Sequence, residues 1–237
     1  MPTALITGCD HGLGFDLARA LLGAGWRVHA CALAPESPLP QTLAREGDVS
    51  LHRLDVTAAS ARAALVSALG HTPLDWLINA AGIFGDRFMY DGAAETQRFG
   101  ASRWAEWDRV FTVNLYGAMA MSEALVANVA ASQRRVIATL SSTMGSLALG
   151  HRGGGYYAYR LSKTGVNMMM RAMAQDLRPL GIIAVPLHPG WVRTPMGGPA
   201  AAISPASSAA GMVRVLAGLD LSKSGRFWAW DGSEVPW

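Results

Sequence analysis

The chain is 237 residues long, 51% hydrophobic and 16% charged, with a formal net charge of +3 at pH 7. That composition supplies a sizeable core and excludes a disordered chain. Its 20 Lys and Arg residues are scattered singly or in pairs such as Arg134-Arg135, so no basic block points to nucleic acid.

In chain order, Thr3–Thr7 predicts a first strand, entered directly from the opening residues without the pattern of a secretory leader. Glycines follow, and Leu17–Gly25 reads as a helix with Gly23 and Gly25 at its exit. Trp26–Ala32 and Ser50–Val56 are apolar strands, and a helix is expected over 58–69. Pro73–Gly82 reads as a strand, followed by a long helix over 102–129 and a strand at Arg134–Ser142. A helix from Tyr157 to about Arg178, a strand at Gly181–Gly190, a helix over 207–217 and a last strand at Ser224–Gly232 complete the chain. No run of about 18 apolar residues appears, so no membrane span is expected. Cys9 and Cys31 lie in no metal-ligand spacing and read as buried free thiols, which predicts no metal site and fits a cytoplasmic protein.

Short apolar strands alternating with helices predict an α/β protein: a doubly wound parallel sheet of about seven strands, helices on both faces, in one domain over 1–237. Two segments break the rhythm, 85–100 and 193–208. Both follow C-terminal strand ends, the edge at which open α/β sheets bind ligands.

In "TGCDHGLG", Gly8, Gly12 and Gly14 stand between the first strand and the first helix. Such a loop permits a tight turn and close phosphate approach, and the helix N-terminus offers N–H groups to a pyrophosphate. Further along, "GGGYYAYRLSK" holds Tyr156, Tyr157 and Tyr159, but only Tyr159 has a lysine, Lys163, four residues on. One helix face then carries both side chains. By spacing alone this is either an exposed pair or chemistry. Reduction of a carbonyl needs a hydride at carbon and a proton at oxygen. A tyrosine with a pKa of about 10 becomes a useful acid only beside a positive charge such as an ammonium.

The G-x-x-x-G-x-G spacing together with Tyr-x-x-x-Lys resembles the short-chain dehydrogenase/reductase family. The likeness continues through "LDVT", "NAAG", "VNLYG", "LSSTMGS" and "HPGWVRT", with Ala80 replacing the second asparagine of the family's Asn-Asn-Ala-Gly. It implies a Rossmann-like fold and a catalytic group of Asn114, Ser142, Tyr159 and Lys163. Ser141 competes with Ser142, which matches the second serine of the family's pair. The resemblance also implies cofactor contacts from Gly8, Asp10, His11, Gly12, Leu13 and Gly14. Others come from Asp55 and Val56, from Asn79, Ala80 and Gly82, and from Pro189, Gly190, Val192 and Thr194, with Tyr159 and Lys163 joining them. In the family the lysine also bonds the nicotinamide ribose.

The last third of the chain is similar to the sniffer-type carbonyl reductases and the related C-factor branch. Phe84, Met144, Tyr156 and Trp191 are the candidate substrate-binding residues, and they suggest an apolar carbonyl or alcohol substrate. Ala32, at the end of the second strand, provides neither the acid that selects NAD nor the arginine that accepts the 2′-phosphate of NADP. With no acid to repel a phosphate, NADP(H) is expected over NAD(H). His188 reads as structural, and "NMMMRAM" as core or subunit contact. Family members commonly form homodimers or homotetramers through the long helices. The alternatives are an NAD-linked alcohol or sugar dehydrogenase and a dinucleotide-binding signalling protein of C-factor type.

Overall fold

The computed structural model describes residues 1–86, 96–149 and 154–237. Seven strands form one parallel sheet: β1 (Thr3–Ile6), β2 (Arg27–Ala32), β3 (Val49–Arg53), β4 (Trp76–Asn79), β5 (Val136–Leu140), β6 (Ile183–His188) and β7 (Trp228–Ala229). Their order is β3-β2-β1-β4-β5-β6-β7. Crossovers lead outward from β1 in one direction and from β4 in the other. The reversal between β1 and β4 opens a crevice beyond their C-terminal ends. Thr7 bridges it: its Oγ1 accepts from the N–H groups of Ala80 and Ala81, both at 3.0 Å.

Helices α1 (Gly12–Gly23), α2 (Pro38–Leu43), α3 (Ala59–Leu69), α4 (Trp104–Ala130), α5 (Tyr157–Asp176) and α6 (Pro205–Ala217) accompany the sheet. Successive side chains of a strand point to opposite faces, and β5 displays the result. Val136 and Ala138 join a core with Leu17 and Leu21 of α1 and Met212 of α6. Ile137 joins the other, with Leu125 of α4 and Val166 and Met170 of α5. Both sheet faces are thereby covered, which is why these strands are continuously apolar. Met170 and Met173 of the methionine run lie in that core, while Met168 is exposed.

Several elements differ from the expected bounds, three of them instructively. Helix α1 begins at Gly12, not Leu17, because its first turn is made by the glycine loop and carries no apolar period. The short α2 was not expected; its prolines read as loop, yet Pro38 occupies the first turn, where a missing N–H costs nothing. Strand β7 is two residues long, far shorter than 224–232. Helix α4 is long and apolar enough to cross a membrane by length and composition, with mean hydropathy 1.3. Its Met121, Leu125 and Val129 pack into the second core.

Candidate active site

Helix α4 departs from regular winding at Thr112–Gly117, a π-helical stretch that contains Asn114. Such turns recur at functional sites because they re-aim one side chain. Asn114 is buried, and its amide pairs with both backbone groups of Ile83 just past β4: Oδ1 accepts from the N–H at 2.8 Å and Nδ2 donates to the carbonyl at 2.9 Å. Nδ2 also donates to Ser162 Oγ at 3.0 Å, and Ser162 donates to the Tyr159 carbonyl at 2.8 Å. Asn114 therefore ties α4, the β4 exit and α5 together, with both Nδ2 protons and Oδ1 engaged.

Tyr159 and Lys163 lie on one face of α5, with Lys163 Nζ 5.6 Å from the Tyr159 ring centroid. Burial lifts the Tyr159 phenol to about 12, while a hydrogen bond from Ser142 works in the opposite direction. Burial lowers Lys163 to about 8, and its Nζ donates to the Leu140 carbonyl at 2.8 Å. The phenol is raised and not depressed: burial outweighs the Ser142 bond. At neutral pH the phenol holds its proton.

The two serines at the end of β5 have different surroundings. Ser141 donates to Asn167 Oδ1 at 2.5 Å, bonded back into α5. Ser142 Oγ accepts from the Met144 N–H at 3.1 Å and keeps its bond with Tyr159. The turn that presents Ser142 rests directly on α5. A Cβ on Gly145 would stand 2.6 Å from the Lys163 carbonyl carbon, so a side chain there would force the turn and the lysine apart.

Tyr159 and Ser142 line a cavity of about 450 Å³. Phe84, Met144, Tyr156 and Trp191 share its wall, as do Leu13, Pro189, Gly190, Val192 and Thr194. Phe84 stacks on the Tyr159 ring, centroids 4.4 Å apart. Trp191, 51% exposed, donates through Nε1 to the Gly197 carbonyl across the following loop. Met196, Arg160 and His188 also line the cavity and were not anticipated there. Met196 lies in the 193–208 segment, whose only signal was its length. His188 Nδ1 accepts from the Thr143 N–H at 3.4 Å, and burial lowers the imidazole to about 4. It is neutral and bonded to the turn that carries Ser142, in keeping with its reading as structural.

The remaining candidates follow the same sheet edge toward β3. A Cβ on Gly14 would stand 2.2 Å from the Gly8 carbonyl oxygen, which explains the glycine at the first turn of α1. Gly12 adopts φ 63° and faces the Thr194 side chain. His11 precedes α1 without a side-chain hydrogen bond to it, so the first turn presents N–H groups that suit a pyrophosphate. Asp10 accepts from the N–H groups of Leu33 and Ala34, both at 3.0 Å. Asp55 is exposed past β3 and accepts from Thr57, with Val56 buried beside it. Gly82 adjoins Asn114 Oδ1 and Lys163 Nζ. Ala80 is held by Thr7.

The Asn79 amide is buried and donates to Ser122 Oγ at 3.1 Å and Thr139 Oγ1 at 3.3 Å, joining β4 to α4 and β5. Of segment 85–100, residues 87–95 lie outside the described residues, as does Gly153 ahead of α5. Among the described residues no cluster of three or more His, Cys, Asp or Glu is placed to hold a metal.

A sequence profile of the family described as short chain dehydrogenase matches residues 2–203. The C-signal protein of Myxococcus xanthus is 42% identical over 165 residues, covering 70% of this chain and 93% of that protein. The carbonyl reductase Sniffer of D. melanogaster superposes with a TM-score of 0.87 at 29% identity, over 100% of both chains. A carbonyl reductase from Pseudomonas aeruginosa PAO1, in complex with NADP, does so with a TM-score of 0.86 at 32% identity, again over 100% of both. With its seven-stranded parallel sheet and these relatives of sniffer and C-signal type, the chain belongs to the short-chain dehydrogenase/reductase family of oxidoreductases.

Proposed function

We propose that this oxidoreductase reduces an aldehyde or ketone to an alcohol with NADP(H), with Tyr159 as the proton donor. The observation that carries the reading is the Tyr159 phenol with its Ser142 bond at an apolar cavity, and Lys163 Nζ 5.6 Å from the Tyr159 ring centroid behind it. A reduced nicotinamide dinucleotide held at this edge would supply the hydride for the carbonyl carbon. Tyr159 Oη gives its proton to the carbonyl oxygen as the C=O π bond breaks, leaving a phenolate. Ser142 donates a hydrogen bond where negative charge develops on that oxygen. The Lys163 ammonium stabilises the phenolate until it regains a proton from solvent. Asn114 holds the β4 exit against α5, which keeps Phe84 and Tyr159 in register.

Phe84, Met144, Met196 and Trp191 give the cavity largely apolar walls, which favour aromatic or otherwise hydrophobic carbonyl compounds. The glycine loop, α1 N-terminus, Asp55 and the 189–194 loop would hold the dinucleotide. NADP(H) is preferred over NAD(H) because β2 ends in Ala32, with no acid there to repel a 2′-phosphate, and because several similar carbonyl reductases are described with NADP. Exposed Tyr116 and Met119 on α4, and Leu161 and Met168 on α5, suit burial between copies in a homodimer or homotetramer. Buried thiols at Cys9 and Cys31 fit a cytoplasmic location.

The test is turnover of NADPH and NADH against a panel of carbonyls and alcohols, for the native protein and Tyr159→Phe. The variant is expected to lose on the order of 10³-fold in kcat with dinucleotide affinity retained. Likeness to C-signal favours a second reading, a dinucleotide-binding signalling protein. Tight dinucleotide binding with no turnover across the panel would select it.

A further inference from the structure

Helix α5 begins without a cap of its own. Its N-cap residue, Tyr156, sits in the left-handed region at φ 56° and offers no side-chain hydrogen bond. The first N–H groups of a helix have no partner within it. Two of these are met from elsewhere, by a single residue. The Gln97 carbonyl accepts from the Tyr157 N–H at 3.3 Å, and the Gln97 side-chain Oε1 accepts from the Tyr159 N–H at 3.2 Å.

The other end of that amide reaches the cavity wall. Gln97 Nε2 donates to the Phe84 carbonyl at 2.9 Å and to Glu106 Oε1 at 3.3 Å. Glu106 Oε1 also accepts from the Asp86 N–H at 2.8 Å. Gln97 is 0% exposed and Glu106 2%. Both therefore rely on protein partners, since a buried polar group left unpaired is costly. Phe84 in turn stacks on the Tyr159 ring. One side chain thus bonds the backbone of Tyr159 and the backbone of the ring packed against it.

We infer that Gln97, braced by Glu106, is a positioning residue that sets the Tyr159 phenol against Phe84 and the cavity. It lies behind the site, and the inference rests on the reading of Tyr159 as proton donor. Its chemistry is specific. The site needs an acceptor toward α5 and a two-proton donor toward a carbonyl and a carboxylate, which a primary amide of this length supplies. Methionine fills the same space with none of these bonds. Glutamate keeps the acceptor but sets a carboxylate against the Phe84 carbonyl and Glu106.

The experiment compares Gln97→Met, Gln97→Glu and Gln97→Glu with Glu106→Gln in the full chain. It measures kcat, KM, NADPH affinity by tryptophan quenching, and hydrogen exchange at the Tyr159 amide. Gln97→Met is expected to lower kcat on the order of tenfold, leave NADPH affinity within about twofold, and speed exchange at Tyr159. The double variant restores a donor–acceptor pair between the two positions while giving up the Asp86 N–H bond, and is expected to recover part of the kcat lost in Gln97→Glu. Native kcat in Gln97→Met, or unaltered Tyr159 exchange, overturns the inference. If Gln97→Met does not fold, the double variant decides, and no recovery over Gln97→Glu overturns it. Exchange is read without turnover, so this failure is distinct from Tyr159→Phe remaining active, which would remove the acid role itself.

Discussion

The two ends of the ligand edge are built differently. Around Tyr159, buried side chains bond one another or specific backbone groups: Asn114 to Ile83 and Ser162, Ser142 to Tyr159, Gln97 to α5 and Phe84. At the exit of β2, exposed or half-buried groups brace a loop mostly through its backbone. Asp10 accepts from Leu33 and Ala34, while Arg53 donates to the Leu33 carbonyl at 2.8 Å and pairs with Glu36 at 2.6 Å. Proton transfer tolerates little positional error, whereas holding a ribose against solvent can be achieved by several residues in several places. The first end should therefore be intolerant of change and the second forgiving.

The neighbouring serines give the sharpest test of that contrast. Ser142→Ala is expected to lower kcat on the order of 10²-fold, with a small change in melting temperature. Ser141→Ala should do the reverse, leaving Asn167 without its donor and destabilising the fold by about 1–2 kcal/mol while kcat falls far less. Steady-state rates and thermal melts of both variants decide it, and equal rate losses would break the comparison.

A pH profile probes the same end through Lys163. Burial holds this ammonium at about 8, below the ordinary 10.5, so it loses its charge as pH rises past 8. The phenol, held up near 12, stays protonated throughout that range. Reductive kcat/KM is therefore expected to fall above pH 8, by up to about tenfold per unit. A profile flat to pH 10 would exclude a role for the lysine charge. The stability effect has the opposite sign. Between 8 and 10.5 the unfolded chain binds the extra proton, so folding stability gains with pH from this group.

The smallest effect belongs to the β2 exit. Arg53→Met is expected to weaken NADPH binding severalfold and leave NADH within about twofold, because its guanidinium lies against the loop after β2. Tryptophan quenching with both dinucleotides measures it. A loss as large as that of Ser142→Ala would show that this end is as exacting as the other.

The same contrast governs what could be read in advance. Alternating apolar runs specified the sheet and its covered faces, because both cores require those residues along the strands. Two local features were legible because spacing and sterics dictate them: Tyr159 and Lys163 on one face a helical turn apart, and a glycine at Gly14 where a Cβ would meet a carbonyl. Gln97 and Glu106 were not, since their partners are brought together only by the fold: the two stand nine residues apart, and Gln97 is 62 residues from Tyr159. Met196 and Arg160 reach the cavity from a loop and a helix face with no local pattern to mark them.

The π-helical stretch at Thr112–Gly117 has a consequence for how this site tolerates insertion and deletion. It accommodates an extra residue within one helix, offset by about 100° of rotation in regular α winding. Glu106 stands before it, bracing Gln97, while Asn114 lies within it and Met121 and Leu125 follow in the core. Losing any one residue between 112 and 117 would restore even winding and swing the two braces of Tyr159 out of phase. In this helix the number of residues is as much a part of the active-site specification as their identity.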